Sequence, residues 1–254
     1  MTRMIMHGCN GAMGQVISGL AADMADLEIV AGIDPDGRIL SGYPVYKSLE
    51  LCDAAADVIV DFTTAAAVDG LLEYCRERKM PLVLCTTGLS EGQVKQVERA
   101  AAQTAILRSA NMSLGINTLL KLLQDAAKVL AGAGFDVEIV EKHHNRKVDA
   151  PSGTALALAD SVNEAMGHAY HYQYDRASKR GKRDPHEIGI QAVRGGTIVG
   201  EHEVVFAGQD EVVTFSHTAY SKAVFAKGAL EAARFLAGKE PGLYTMADVI
   251  ASAT

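Results

Sequence analysis

The stretch Arg3-Met4-Ile5-Met6-His7-Gly8-Cys9-Asn10-Gly11-Ala12-Met13-Gly14 decides how the first half of this chain folds. Arg3 to His7 is a short apolar run with the length of a buried strand. It passes straight into glycines at 8, 11 and 14, and then into Gln15–Ala22, which reads as a helix. Glycines spaced G-x-x-G-x-x-G between strand and helix make a tight turn. They let the backbone approach a pyrophosphate and allow close helix–strand packing. The spacing is a relative of the dinucleotide fingerprint, which also asks for an acid at the end of the second strand. Glu28–Ile33 reads as that strand, and Asp34 ends it.

The same alternation continues. Val58–Phe62 reads as a strand, Ala65–Arg78 as a helix and Pro81–Cys85 as a strand. Ser90 and Gln93 form a capping-box signal opening a helix to Gln103, and Ala105–Leu107 is a further strand. Strands alternating with helices imply a parallel sheet covered on both faces, an α/β domain of Rossmann type. Its ligand belongs at the C-terminal ends of the strands. The loops there carry Asp61-Phe62-Thr63-Thr64, Cys85-Thr86-Thr87-Gly88 and Ser109-Ala110-Asn111-Met112-Ser113, whose hydroxyls suit a ribose or a carboxamide. Asp34 would accept from a ribose 2′-OH and repel a 2′-phosphate, favouring NADH. Arg38, four residues on, could pair with that phosphate and admit NADPH. The reading leans to NADH, with NADPH use left open.

The second half changes character. Ile116–Ala131 is an amphipathic helix, Phe135–Val140 a strand, and Gly153–Ala165 a helix. Gly167–Glu187 is a polar connector, read as a solvated loop or flap. Ile188–Val193, Gly200–Phe206 and Glu211–His217 then read as strands with short Gly-containing links, predicting a mixed or antiparallel sheet in a second, α+β domain. Ala223–Leu236 and Tyr244–Ile250 read as helices.

Chemistry concentrates in Glu141-Lys142-His143-His144-Asn145-Arg146-Lys147-Val148-Asp149-Ala150-Pro151-Ser152-Gly153-Thr154-Ala155-Leu156. Two imidazoles and three cations precede a turn that opens a helix, with Ser152 as N-cap. Backbone N–H groups and the positive end of a helix dipole therefore converge on one place. The combination describes a pocket for a small anion with acid–base groups beside it. No metal is expected, because adjacent His residues on an extended segment point to opposite faces.

Composition bounds the rest. Net charge is -7 over 254 residues, which argues against a nucleic-acid partner. Cys9, Cys52, Cys75 and Cys85 form no C-x-x-C pair and read as buried free thiols of a reducing compartment. No apolar run approaches the roughly 20 residues that span a bilayer, and no signal peptide is read. The expectation is a cytoplasmic protein with no membrane partner.

The run Glu141–Leu156 closely resembles the signature of the dihydrodipicolinate reductase (4-hydroxy-tetrahydrodipicolinate reductase) family, and the likeness extends over the whole chain. Gly8–Gly14 resembles its cofactor turn. Asp61-Phe62-Thr63 and Thr86-Thr87-Gly88 resemble its nicotinamide-side loops, and Val193-Arg194-Gly195-Gly196 with Ile198–His202 a later block. The resemblance implies a reductase of lysine and diaminopimelate biosynthesis that uses NADH or NADPH. It implies His143 as catalytic acid/base and Lys147 as proton donor, with His144, Ser152, Gly153 and Thr154 on a small dicarboxylate substrate. Cofactor contacts fall on Gly8, Cys9, Asn10, Gly11, Ala12, Met13, Asp34, Cys85, Thr86, Thr87, Ser109, Ala110, Asn111 and Met112. Residues 1–112 with 222–254 would bind the dinucleotide, and 113–221 would bind substrate and build a homotetramer. Cys85 stands where the family commonly has Gly, Met112 where it has Phe, and Pro35 where some dual-cofactor members have Arg.

Overall fold

The computed structural model describes residues 1–109 and 111–252. It divides into two compact units, Met1–Leu114 with Lys222–Thr254, and Gly115–Ser221.

The first unit holds a seven-stranded sheet whose paired strands all run parallel. Its strands are β1 (Thr2–His7), β2 (Leu27–Ile33), β3 (Val45–Tyr46), β4 (Val58–Asp61), β5 (Leu82–Leu84), β6 (Ala105–Arg108) and β12 (Gly242–Tyr244), in the order β12-β6-β5-β4-β1-β2-β3. Strand side chains alternate between faces, so each strand feeds two cores. Met4, Met6, Val58, Val60, Val83 and Leu107 pack with α1 (Ala12–Ala22), α6 (Ala223–Leu236) and α7 (Met246–Ser252). Ile5, Ile33, Ile59, Leu82, Leu84 and Ile106 pack with α2 (Ala65–Arg78) and α3 (Glu91–Ala101). The expected capping box opens α3, with Gln93 N–H donating to Ser90 Oγ at 3.2 Å.

The second unit is two-layered. Its mixed sheet contains β7 (Asp136–His143), β8 (His171–Gln173), β9 (Glu187–Arg194), β10 (Gly200–Ala207) and β11 (Val212–Ala219), ordered β11-β10-β7-β9-β8. One face packs Val137, Ile139, Ile188, Ile190, Val204 and Phe206 against α4 (Leu114–Leu130) and α5 (Gly153–Ala165). The opposite face carries Val140, Lys142, Glu201, Glu203 and Val205, all half-buried. There Lys142 Nζ bridges Glu201 and Glu203 at 3.1 Å each.

Three short strands depart from the sequence reading. The connector Gly167–Glu187 contains β8, and β3 lies in a segment with no strand pattern. Tyr244 ends strand β12, so α7 begins at Met246 and not at Tyr244. The second sheet has a further surprise: β9 and β10 are not neighbours, because β7 lies between them. Among the described residues no helix is long and apolar enough to cross a membrane.

Candidate active site

In the first unit the glycine turn links β1 to α1. Gly8 has φ +82°, a conformation that costs other residues about 1 kcal/mol or more. A Cβ on Gly14 would stand 2.3 Å from the carbonyl oxygen of Gly8 and 2.6 Å from that of Cys9. No side chain caps α1 at Gly11, so its first-turn N–H groups lie bare toward the turn. Ala12 and Met13 belong to that first turn. Bare N–H groups, the dipole and a side-chain-free approach together fit a pyrophosphate. Cys9 contributes only backbone, since its thiol is buried and a Cβ on Gly32 would meet Sγ at 2.6 Å.

Asp34 stands where β2 ends. Its carboxylate accepts from Asn10 N at 3.2 Å and from Asp36 N at 3.3 Å. Asn10 Nδ2 in turn donates to Asp36 Oδ1 at 2.5 Å and to the Arg38 carbonyl at 2.9 Å. Arg38 Nε is tied to Asp36 Oδ2 at 2.7 Å.

A cavity of about 420 Å³ opens at the C-terminal ends of β4, β5 and β6. Met13, Phe62, Cys85, Thr87, Ser109 and Asn111 are among its lining residues, with Thr86 and Met112 largely buried beneath. Asn111 Oδ1 also accepts from Ser113 N at 2.8 Å. Ala110 lies outside the described residues.

Beneath this cavity sits a carboxylate that sequence reading placed in a loop with no role of its own. Asp61 is fully buried. Its Oδ1 accepts from Thr63 Oγ1 at 2.7 Å and lies 2.9 Å from His7 Nδ1, and its Oδ2 accepts from Thr86 Oγ1 at 2.5 Å. The end of β1 and the loops following β4 and β5 thereby meet at one group. The Thr86 hydroxyl donates its hydrogen to Asp61 and keeps its acceptor capacity, and the residue lines the cavity. Burial, with Asp61 adding to it, pushes the Cys85 thiol well up, which makes it an inert neighbour and not a nucleophile.

In the second unit the expected residues cluster where β7 ends. His143 is buried, with Nδ1 2.6 Å from Glu141 Oε2. Glu141 is fully buried and held by Arg194 through two bonds of 2.7 Å, and by Ser152 N at 3.0 Å. Burial alone would raise the Glu141 carboxyl; Arg194, His143 and the Ser152 N–H outweigh it and hold the group below the usual carboxylate range. Burial lowers His143 from its ordinary value, Glu141 opposes this, and Lys147 and Arg194 add to it. The neutral ring is therefore favoured over the imidazolium. His202 stacks edge-on against it with ring centroids 5.1 Å apart, and burial followed by the His143 charge lowers His202 to about 4.

Lys147 Nζ meets Asp149 Oδ1 at 2.9 Å. Lys147, and more weakly the Gly153 N–H, hold the Asp149 carboxyl below its ordinary value. Ser152 is the N-cap of α5, as expected: its Oγ accepts from Ala155 N at 3.1 Å and lies 3.2 Å from His202 Nε2. That buried hydroxyl caps α5, which gives Ser152 a positioning role at the helix start. Gly153 and Thr154 begin α5, and nothing occupies the space in front of the Gly153 Cα. His144 follows the strand, half-buried. Among the described residues no group of three or more His, Cys, Asp or Glu is gathered for a metal.

Family models match almost the whole chain. The model described as dihydrodipicolinate reductase, N-terminus, covers residues 2–112, and its C-terminus counterpart covers 115–250. The chain belongs to the dihydrodipicolinate reductase family. It is an oxidoreductase. The chain is 54% identical over 250 residues to the 4-hydroxy-tetrahydrodipicolinate reductase of Caldanaerobacter subterraneus subsp. tengcongensis, covering 98% of each chain. It is 46% identical over 246 residues to that of Clostridium tetani, covering 97% of this chain and 96% of the relative. Among solved structures, the dipicolinate-bound dihydrodipicolinate reductase of Paenisporosarcina sp. TG-14 superposes with a TM-score of 0.80 at 26% identity, over 96% and 97% of the two chains. GenD2 of gentamicin A biosynthesis, solved with NAD, shares the fold alone: 15% identity, TM-score 0.63, over 98% of this chain and 90% of GenD2. These matches bear out the sequence reading of family and of fold class, with a Rossmann-type parallel sheet and a second, mixed one.

Proposed function

We propose that this chain reduces 4-hydroxy-tetrahydrodipicolinate to tetrahydrodipicolinate in the diaminopimelate route to lysine, with NADH as its preferred reductant. The observation that carries the reading is the gathering of His143, Lys147 and the start of α5 within one short segment of the second unit. Lys147, the Gly153 N–H and Thr154 form the carboxylate seat, helped by the α5 dipole. His144 borders it. A nicotinamide, when bound, supplies the hydride. The chain's own task is to bring a proton to the ring carbon that becomes electron-rich as that hydride arrives. A cation beside the ring favours this charge as it develops. With Nδ1 turned to Glu141, His143 presents its Nε2 lone pair, and Lys147 is the neighbouring donor. Lys147 is therefore assigned as donor and His143 as its acid–base partner.

The turn Gly8–Met13 with Asp34, and the cavity lined by Cys85, Thr87, Ser109, Asn111 and Met112, are assigned to the dinucleotide. Residues 1–112 with 222–254 form the cofactor domain and 113–221 the substrate domain. The lean to NADH has physical support in Arg38. Its guanidinium is engaged by Asp36, and the carboxylates of Asp34 and Asp36 stand together against a 2′-phosphate. The helix-free sheet face of Val140, Val205, Lys142, Glu201 and Glu203 supports assembly as a homotetramer; the monomer mass in light scattering would overturn it. Free thiols at Cys9, Cys52, Cys75 and Cys85, three of them buried, suit the cytoplasm.

Lys147→Ala tests the core of this reading. Turnover in a coupled assay that generates the substrate should fall roughly 10²-fold or more, with NADH affinity unchanged. Normal turnover would remove Lys147 from its role. Running the wild-type assay with NADH and NADPH side by side tests the cofactor assignment.

A further inference from the structure

We propose that the buried Glu141–Arg194 pair is a positioning device that fixes His143 in its Nδ1–H form and ties that ring to the N-terminus of α5. The imidazole and the carboxylate seat are thereby set as one piece. The proposal rests on the reading of His143 as a proton-transfer residue.

All the acceptor capacity of Glu141 faces functional groups. Oε2 meets His143 Nδ1 at 2.6 Å and an Arg194 nitrogen at 2.7 Å. Oε1 takes Ser152 N at 3.0 Å and the other Arg194 nitrogen at 2.7 Å. An ionised carboxylate only accepts, so Nδ1 must carry the ring's hydrogen and Nε2 the lone pair. Nε2 is thus the ring's reactive atom. A Cβ on Gly200 would stand 3.1 Å from it, so glycine there keeps that side of the ring clear. Arg194 reaches further and donates to the Asp149 carbonyl at 2.7 Å, on the loop that leads into α5. One ion pair thus joins β7, β9, the His144–Ser152 loop and the helix start.

Two charges are needed where one would hold the ring. A lone buried carboxylate beside Nδ1 would favour a permanently charged imidazolium. Arg194 offsets that charge and leaves the ring neutral while the hydrogen bond keeps its direction. The charged and titratable groups facing His143 are Glu141 on its own strand, Lys147 on the loop, Arg194 on β9 and His202 on β10. His217 pairs with His202 across β11, one strand further out.

The test compares Glu141→Gln, Arg194→Met and Arg194→Lys in the full-length chain. Long-range proton–nitrogen spectra of the histidine rings, assigned with His143→Gln, report tautomer and titration without substrate present. In the wild type His143 should carry its hydrogen on Nδ1. Glu141→Gln should erase that preference and move the titration to lower pH. Arg194→Met should keep Nδ1–H and move the titration to higher pH, and Arg194→Lys should restore part of the wild-type position. In Glu141→Gln the turnover number should fall roughly 10²-fold with the NADH Michaelis constant unchanged. A purely structural role would not split the two titrations in opposite directions. An Nε2–H ring in the wild type, shifts of the same sign in both variants, or unaltered turnover would overturn the proposal. If Glu141→Gln fails to fold, the Arg194 pair still decides the direction. Undiminished turnover in His143→Ala would instead remove the catalytic reading, and the substrate-free spectra tell the two failures apart.

Discussion

Removing one hydroxyl from the buried Asp61 cluster should loosen the loops that follow β4 and β5 measurably. Thr86→Val keeps shape and volume but deletes the hydrogen bond to Asp61 Oδ2. Thr63 and His7 both address Oδ1, so Oδ2 of a fully buried carboxylate is left stranded. A hydrogen bond to a charged group is worth about 1.5–3 kcal/mol net. In a unit of this size that corresponds to a fall in melting temperature of roughly 4–10 °C. If the loop escapes by rotating outward, part of the loss should move into cofactor binding, at about tenfold for each 1.4 kcal/mol. The assays are thermal unfolding and NADH titration of the same variant, with Thr86→Ser, which keeps the hydroxyl, as control. The two losses together should reach about 2 kcal/mol. A combined change below about 0.5 kcal/mol, or equal losses in the serine variant, would refute the view that Asp61 anchors the loops.

Other consequences are open to direct measurement. Gly14→Ala places a methyl where two carbonyl oxygens stand, at 2.3 and 2.6 Å, so NADH binding should disappear in titration while the His143 ring signals of the second unit persist. His202 binds protons better unfolded, near 6.5, than folded, near 4, so its contribution is present above 6.5 and lost as pH falls toward 4. Urea unfolding of the second unit should lose about 3 kcal/mol across that window, and His202→Gln should flatten the slope. Gly200→Ala brings a methyl within 3.1 Å of His143 Nε2 and should lower turnover at least several-fold with NADH affinity unchanged, read by steady-state kinetics.

Much of this was legible in the chain because the signals are local. Gly8, Gly11 and Gly14 fall inside one turn, Ser90 reaches only to Gln93, and Ser152 only to Ala155. Such devices complete themselves within a few residues. The edge strands Val45–Tyr46, His171–Gln173 and Gly242–Tyr244 do not; two or three residues have no period, and a neighbouring strand supplies their pairing. The insertion of β7 between β9 and β10 is likewise set by long-range pairing. Glu141 stood in the signature as one more acid. Its partner Arg194 lies 53 positions away, and only the parallel pairing of β7 with β9 brings them together. Asp61 was hidden for the same reason, its hydroxyl donor Thr86 being 25 positions away on another strand's loop. The hydrogen bond of the Thr86 hydroxyl was not legible, because a sequence shows that a donor exists but not which acceptor it meets.

The Lys147–Asp149 contact changes what affinity means for this protein. The ammonium and the start of α5 already have a carboxylate of the chain's own in reach, at 2.9 Å from Lys147 Nζ. On the proposed role of Lys147, an arriving dicarboxylate competes with a tethered rival, and its affinity is a difference between two similar salt links. Such an exchange releases little net charge, so dicarboxylate affinity should respond to ionic strength more weakly than an empty cationic pocket would. The tether also works in reverse. Asp149 remains at hand to reclaim Lys147 when product leaves, and the pocket resets without waiting for an ion from solution.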